Sequence, residues 1–272
     1  MLLPLVIDPT DLYKTLNTPD LIIIDLSSAE NYALGHIPGA INIAASRLLK
    51  GDGNVPNLLP DQQQLSELFS DCGITPEKHV VVYDDQMGPW AGRFIWSMHC
   101  VGLTNASFLN GQLAGWIAAG FTTETTPNLA RVSHYNAQIN RALIADIPYI
   151  QRHLHDSTVD IWDARSYAEY TGEKVINAKK GGHIPNARWL EWTDTLEQLD
   201  PPVLKKPDVL RAKLKDAGID ISHTLVTHCQ THRRSGLTYI AALYAGTSDI
   251  RCYDGSWFEW GNHPDAPVER TQ

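Results

Sequence analysis

Short apolar runs alternate with segments of helical character along the whole chain. Leu21-Ile22-Ile23-Ile24-Asp25-Leu26 is too continuously apolar to leave one face in water, and Val80-Val81-Val82-Tyr83-Asp84-Asp85, Val159-Asp160-Ile161-Trp162-Asp163-Ala164-Arg165 and Thr224-Leu225-Val226-Thr227 are further short, largely apolar runs. Such runs predict strands buried on both faces, as in a parallel sheet. Between them, residues 91–98 and 237–245 read as helices, and Gly246 stands where the second would stop. Strands alternating with helices predict an open parallel α/β sheet.

The pattern is written twice. Residues 80–85 match the run that ends in Cys229, so Asp85 falls on Cys229 at a spacing of 144 residues. Gly92 falls on Gly236, Gly111 on Gly255 and Trp116 on Trp260 at the same spacing. A gapless register with identical anchors marks a duplication. Earlier in each half, Gly35-His36-Ile37-Pro38-Gly39-Ala40 is echoed by Gly182-His183-Ile184-Pro185-Asn186-Ala187. His36 and His183 therefore read as structural residues that orient a turn before the next strand. The polar Thr/Pro stretch 122–128 places the seam. We expect a first domain over 1–124, a linker over 125–138 and a second domain over 139–272.

Composition narrows the class. A length of 272 residues suits two ordinary domains, and 43% hydrophobic residues suffice for packed cores. The net charge of -9, with no basic stripe, argues against a nucleic-acid partner. The apolar opening, residues 1–7, has no basic residue before it and ends at Asp8 and Pro9. It reads as neither a signal peptide nor a membrane span. Cys72, Cys100, Cys229 and Cys252 are irregularly spaced, which gives no CxxC metal pair and no disulfide scaffold. A reducing, cytoplasmic setting is expected, with no cofactor and no metal.

Candidate chemistry gathers in His228-Cys229-Gln230-Thr231-His232-Arg233-Arg234-Ser235-Gly236. One cysteine sits at a strand tip, beneath a helix start, beside two arginines. Backbone N–H groups at a helix start attract anions, and nearby cations favour a thiolate. Cys229 is thus the candidate nucleophile, with Gln230, Thr231, His232, Arg233 and Arg234 as the loop around a bound substrate. His228 is expected to pack or hydrogen-bond behind that loop. An unperturbed thiol is only ~3% ionised at pH 7. Lowering its pKa by two units takes roughly 2.7 kcal/mol, and a helix terminus supplies ~0.3–1 kcal/mol. Several N–H donors and the arginines must act together. The other three cysteines read as small buried hydrophobes. In the first half, the loop from Asp85 to Trp90 has neither nucleophile nor basic residue, and Asp85 is expected to cap it through its carboxylate. Trp192 is a candidate wall of the active pocket.

The doubled segment around His36 and His183, the strand-cysteine-loop-helix at Cys229, and the ending Gly255-Ser256-Trp257-Phe258-Glu259-Trp260-Gly261 resemble tandem-domain rhodaneses over nearly the whole chain. The resemblance implies two rhodanese-like domains, each an open, mainly parallel five-stranded sheet flanked by helices. It implies that the first domain is inactive and the second catalytic. It implies a sulfurtransferase that moves a sulfane sulfur from thiosulfate, or a related donor, through a Cys229 persulfide to a thiophilic acceptor such as cyanide or a thiol. Arg165 matches a family arginine and is implied to bind substrate. The loop is similar to a bacterial subgroup reading Cys-Gln-Thr-His-His-Arg, with Arg233 in place of the second His. It departs from the Cys-Arg-Lys-Gly-Val-Thr of thiosulfate-specific members and the Cys-Gly-(Ser/Thr)-Gly-Val-Thr of mercaptopyruvate-specific ones. Glu169 stands where many two-domain members carry a substrate-binding arginine. The alternatives are a 3-mercaptopyruvate sulfurtransferase, a persulfide carrier and a cysteine phosphatase. A phosphatase loop needs five residues between Cys and Arg, whereas four separate Cys229 from Arg234. The partners expected are a small-molecule donor and a small-molecule, thiol or protein acceptor, with no nucleic acid and no membrane. A monomer is expected.

Overall fold

The apolar runs become the central strands of two sheets. In a computed structural model that describes residues 3–271, the strands run in chain order. They are β1 (Val6–Ile7), β2 (Leu21–Asp25), β3 (Ile41–Asn42), β4 (His79–Tyr83), β5 (Ala106–Leu109), β6 (Ile144–Ala145), β7 (Val159–Asp163), β8 (Arg188–Trp189), β9 (Leu196–Leu199), β10 (Pro202–Leu204), β11 (Thr224–His228) and β12 (Ile250–Tyr253). One five-stranded sheet has the order β1-β5-β4-β2-β3 and the other β6-β12-β11-β7-β8, and every pairing in both is parallel. β9 and β10 form a separate antiparallel hairpin. The central pairs have the same relative register, Leu21 facing His79 in one sheet and Val159 facing Thr224 in the other. Being paired on both edges and covered on both faces, these strands are largely buried, hence their largely apolar sequence.

The main helices follow from local chemistry. α1 (Pro9–Tyr13) and α2 (Ala29–Leu34) come first in the chain. α3 (Gln62–Asp71) starts on a capping box in which Asp61 Oδ1 accepts the Gln64 N–H and Gln64 Oε1 accepts the Asp61 N–H, both at 2.9 Å. α4 (Pro89–Cys100) begins on a proline, whose missing N–H costs nothing there. α5 (Gln112–Ala118), α6 (Ile147–His153), α7 (Tyr167–Thr171) and α8 (Pro207–Asp216) precede α9 (Arg234–Ala245), and α10 (Ser256–Trp260) closes the series. α9 stops at Gly246, which takes φ 105°, a left-handed conformation that an L side chain rarely adopts.

The duplication extends to individual hydrogen bonds. His36 Nδ1 lies 2.9 Å from the Tyr32 carbonyl oxygen, its ring stacks on Tyr32 at 3.7 Å, and the Tyr32 hydroxyl donates to Ala40 O. His183 repeats each contact on Tyr170, at 2.9 and 3.8 Å, and Tyr170 donates to Ala187 O. Each histidine also pairs through its backbone with a glutamate, Glu124 or Glu269. The repeated histidines hold turns.

The chain divides into two units that are not contiguous in sequence. One gathers the chain up to Gly51, then Leu59–Asn140 and Leu196–Leu204; the other gathers Asp52–Leu58, Arg141–Thr195 and the chain from Lys205 on. This differs from the contiguous division expected at 1–124, 125–138 and 139–272. Residues 125–138 lie with the first unit, where Ser133 N donates to Ser70 O at 2.9 Å and Tyr135 N to Ser70 Oγ at 2.9 Å. The hairpin also lies there, with Leu204 N donating to Asn110 Oδ1 at 2.9 Å. Residues 52–58 lie with the second unit, where Asn57 Nδ2 donates to Asp254 O at 2.5 Å. These attachments use backbone and amide groups and leave no hydrophobic period to read. Met1 and Leu2, part of the apolar opening, fall outside the described residues. Among the described residues, no helix is long and apolar enough to cross a membrane.

Candidate active site

β11 ends at His228, the chain turns through residues 229–233, and α9 begins at Arg234. Cys229 therefore sits at the carboxyl end of a central strand, where open α/β sheets bind ligands. Its side chain is buried. The closing motif pins the loop from α10: Trp257 N donates to Cys229 O at 3.0 Å and Phe258 N to Gln230 O at 2.9 Å. Ser256 Oγ accepts from Cys229 N at 3.4 Å. The motif was legible in the sequence as a resemblance, but its role as a loop clamp was not.

Burial alone pushes the Cys229 thiol up. The Arg234 charge, the Ser235 hydroxyl, and the N–H groups of Ser235 and Thr231 outweigh it and hold the thiol below its ordinary value. The Ser235 hydroxyl donates to Sγ over 3.5 Å, and His232 Nδ1 lies 2.7 Å from that same oxygen. Cys72 has burial without such help, and its thiol is pushed up to about 12. At neutral pH, limiting iodoacetamide should modify Cys229 and spare Cys72, with the Cys229 rate–pH midpoint below that of a free thiol. Equal modification of the two sites in peptide maps would contradict this assignment of the low-pKa thiol.

Arg234 is held by a partner that the sequence marked only as a departure. Its Nη1 and Nη2 donate to Glu169 Oε2 and Oε1, each at 2.8 Å. Glu169 is buried and belongs to the capping box of α7, where its Oε2 also accepts from Ser166 Oγ at 2.8 Å. Burial alone would raise the Glu169 carboxyl, but Arg234 and Ser166 hold it below the usual range. This fork fixes the guanidinium geometry beside the thiol.

Arg165 is engaged elsewhere. Its Nε lies 2.9 and 3.1 Å from the two Asp163 carboxylate oxygens, and its Nη2 donates to Asp163 Oδ2 at 2.5 Å and to Gly182 O at 2.8 Å. Its guanidinium is also 4.2 Å from the Trp257 ring. The implied substrate contact thus falls on a buried arginine already committed to a carboxylate. His228 Nε2 is 3.7 Å from Asp163 Oδ2, and burial pushes the His228 pKa down. His228 lies buried behind the loop, with Nδ1 3.2 Å from the Cys229 carbonyl oxygen.

The remaining nominated residues divide. Thr231 contributes its N–H to the thiol. The Gln230 side chain donates to Ile176 O at 2.5 Å. Arg233 is exposed. Trp192 is half-buried and opens a short 3₁₀ turn, Trp192–Thr195, that packs against α9. Among the described residues, no three His, Cys, Asp or Glu side chains are grouped to hold a metal ion.

The matching loop in the first unit corrects one expectation. Asp84, not Asp85, caps it. The Asp84 carboxylate is buried and accepts N–H bonds from Gln86 at 2.7 Å, Gly88 at 2.8 Å, Trp90 at 2.8 Å and Ala91 at 3.0 Å. Asp85 is exposed and accepts instead from Ser28 N and Asn31 Nδ2. Successive side chains at a strand end point to opposite sides, so a shift of one residue moves the carboxylate out of the loop. This loop satisfies its amides with a carboxyl of its own, whose pKa burial pushes up against the pull of those N–H bonds.

The rhodanese-like domain family matches the chain twice, over residues 8–119 and 146–263. The chain is similar to a thiosulfate sulfurtransferase of Azotobacter vinelandii, 44% identical over 98% of this chain and 97% of that protein. It is also similar to a thiosulfate sulfurtransferase of Pseudomonas aeruginosa, 42% identical over 98% of this chain and 97% of that protein. Among solved structures it superposes on SseA from Escherichia coli, described as a 3-mercaptopyruvate sulfotransferase. The TM-score is 0.84 at 24% identity, covering 94% of this chain and 99% of that one, a likeness of fold.

Proposed function

The chain belongs to the rhodanese family, and from that premise we propose that it is a sulfurtransferase. It takes a sulfane sulfur from thiosulfate or a related donor onto Cys229 and passes it to a thiophilic acceptor such as cyanide or a thiol. The observation that carries this reading is a buried thiol whose ionised form is favoured by Arg234, Ser235 and the loop amides. Members of the family at more than 40% identity, named for the same reaction with thiosulfate, support the donor class.

The chemistry is a double displacement. The Cys229 thiolate attacks the outer sulfur of thiosulfate, forming one S–S bond while the sulfur–sulfur bond of the donor breaks. Sulfite leaves with the bonding electron pair, and Cys-S-S⁻ remains. Cyanide then attacks the terminal sulfur, thiocyanate departs, and the Cys229 thiolate returns. No proton is taken up or lost, so no general base is required. What is required is a site that holds a sulfur anion at every stage. The N–H groups of Thr231 and Ser235 and the Arg234 guanidinium supply it, in a buried setting where such interactions are stronger than in water. Four residues between Cys229 and Arg234 make a tight ring around one sulfur, rather than a cradle for a phosphate with three oxygens. Four free, buried cysteines suit a reducing cytoplasm.

Exposure to thiosulfate should add the mass of one sulfur atom to the Cys229 peptide, and cyanide should remove it. A protein that turns over without ever carrying that sulfur would refute the persulfide route. A stable adduct with no turnover on cyanide would mark a carrier instead of an enzyme.

A further inference from the structure

Position 232 demands a left-handed backbone. His232 takes φ 51° there, and Met87, which holds the same place between strand end and helix start in the other loop, takes φ 70°. Glycine adopts this conformation at little cost, whereas a histidine is strained in it. Both loops hold a side chain in this region, and in the active loop it is a buried histidine. Three residues on, the active loop has Ser235 where the other has Trp90. Both polar groups are absent from the half that lacks the cysteine. Where present, they form a chain: His232 Nδ1 is 2.7 Å from Ser235 Oγ, which donates to Cys229 Sγ over 3.5 Å.

A serine hydroxyl has one proton. If that proton went to His232, an oxygen lone pair would face the sulfur, which repels an anion. If His232 Nδ1 carries hydrogen and donates to Ser235 Oγ, the serine proton must turn to the sulfur. We propose that His232 and Ser235 are positioning residues for sulfur transfer, in which the His232 Nδ1–H orients the Ser235 hydroxyl so that its proton points at Cys229 Sγ. This rests on Cys229 as the sulfur carrier. The pair stabilises the sulfur as the entering thiolate and again as the thiolate released when the acceptor removes the outer sulfur. No proton is transferred; the hydroxyl acts as an aligned dipole.

The test uses His232→Gly, which removes the imidazole and relieves the backbone, together with Ser235→Ala. Two conservative variants, Ser235→Thr and His232→Asn, keep a hydroxyl and a donor. The first readout is the pH profile of Cys229 alkylation by iodoacetamide on the full chain, which needs no sulfur donor. The second is the rate of cyanide-dependent sulfur transfer. Thermal unfolding identifies any variant that fails to fold. His232→Gly and Ser235→Ala should each move the alkylation midpoint to higher pH and reduce reactivity at pH 7 by about tenfold, the scale of one hydrogen bond to a charged group. Transfer should slow in parallel, and the conservative variants should recover most of both. An unchanged alkylation profile in a folded His232→Gly or Ser235→Ala would overturn the proposal. If alkylation shifts as expected but even the parent never carries sulfur on Cys229, the pair stands as a thiolate device and the sulfurtransferase reading falls.

Discussion

Replacing Cys229 with serine should abolish sulfur transfer, with a loss of at least about a thousandfold. The substitution is nearly isosteric at a buried position, and the loop amides and Ser235 can hydrogen-bond an oxygen as readily as a sulfur. The loop clamp made by Trp257 N and Phe258 N uses main-chain oxygens and is untouched. The fold should therefore persist, and circular dichroism and thermal unfolding should match the parent. What is lost is chemical: a hydroxyl is neither ionised near neutral pH nor able to carry sulfane sulfur reversibly. Cys72, Cys100 and Cys252 are buried, and burial pushes the Cys72 thiol up to about 12. Steady-state thiocyanate formation from thiosulfate and cyanide is the measurement. Retention of even a tenth of the parent rate would move the nucleophile elsewhere.

Asp163→Ala should be the most damaging change to stability, at about 3–5 kcal/mol. Asp163 and Arg165 are both fully buried, and removing the carboxylate strands a guanidinium that keeps only the Gly182 carbonyl and the Trp257 face. Breaking a buried pair costs far more than it ever gained, because the surviving charge stays out of water. Two units make a single two-state fit unsafe, so urea unfolding should be followed by tryptophan fluorescence and the transition lost from the second unit identified. Asp163→Ala combined with Arg165→Met should recover much of the loss, since no charge is then stranded. Burial alone would raise the Asp163 carboxyl, yet Arg165 and His228 hold it below the usual range. Its contribution is thus complete above the unfolded pKa of about 3.9 and disappears only as pH falls through the lower folded value. A cost under about 1 kcal/mol would mean that the pair is not structural, and would return Arg165 to the candidates for donor binding.

The two predictions touch different layers of the site, and these layers were unequally visible in the residues alone. Cys229 stood out because a strand, a polar loop and a helix follow one another within a single short segment. The 144-residue repeat then located the matching loop, but one residue out of register: the strand ends and helix starts around the two loops lie 145 residues apart, which puts Asp84 opposite Cys229. The central strands were readable for the same local reason: a strand covered on both faces is apolar at most positions, with Asp25, Asp163 and His228 as buried exceptions at the strand ends. The two-residue edge strands β1, β3, β6 and β8 have too little length to show a period. The Asp84 cap was misread as Asp85 because sequence gives the order of residues and not which of two neighbours turns inward.

The sequence by itself determined the architecture and the duplication, and it nominated Cys229 and a loop of four residues between Cys229 and Arg234. Each rests on local periodicity or on spacing along one segment. Only the tertiary structure decided which arginine serves which carboxylate: Arg234 to Glu169, 65 residues away in sequence, and Arg165 to Asp163 in the interior. It also decided that 52–58 and 196–204 join units other than those their positions suggest, and that Ser235 stands between a histidine and the thiol. Ion pairs and aligned hydroxyls depend on distances set by the packing of separate elements. Such distances leave no mark on the order of residues along the chain.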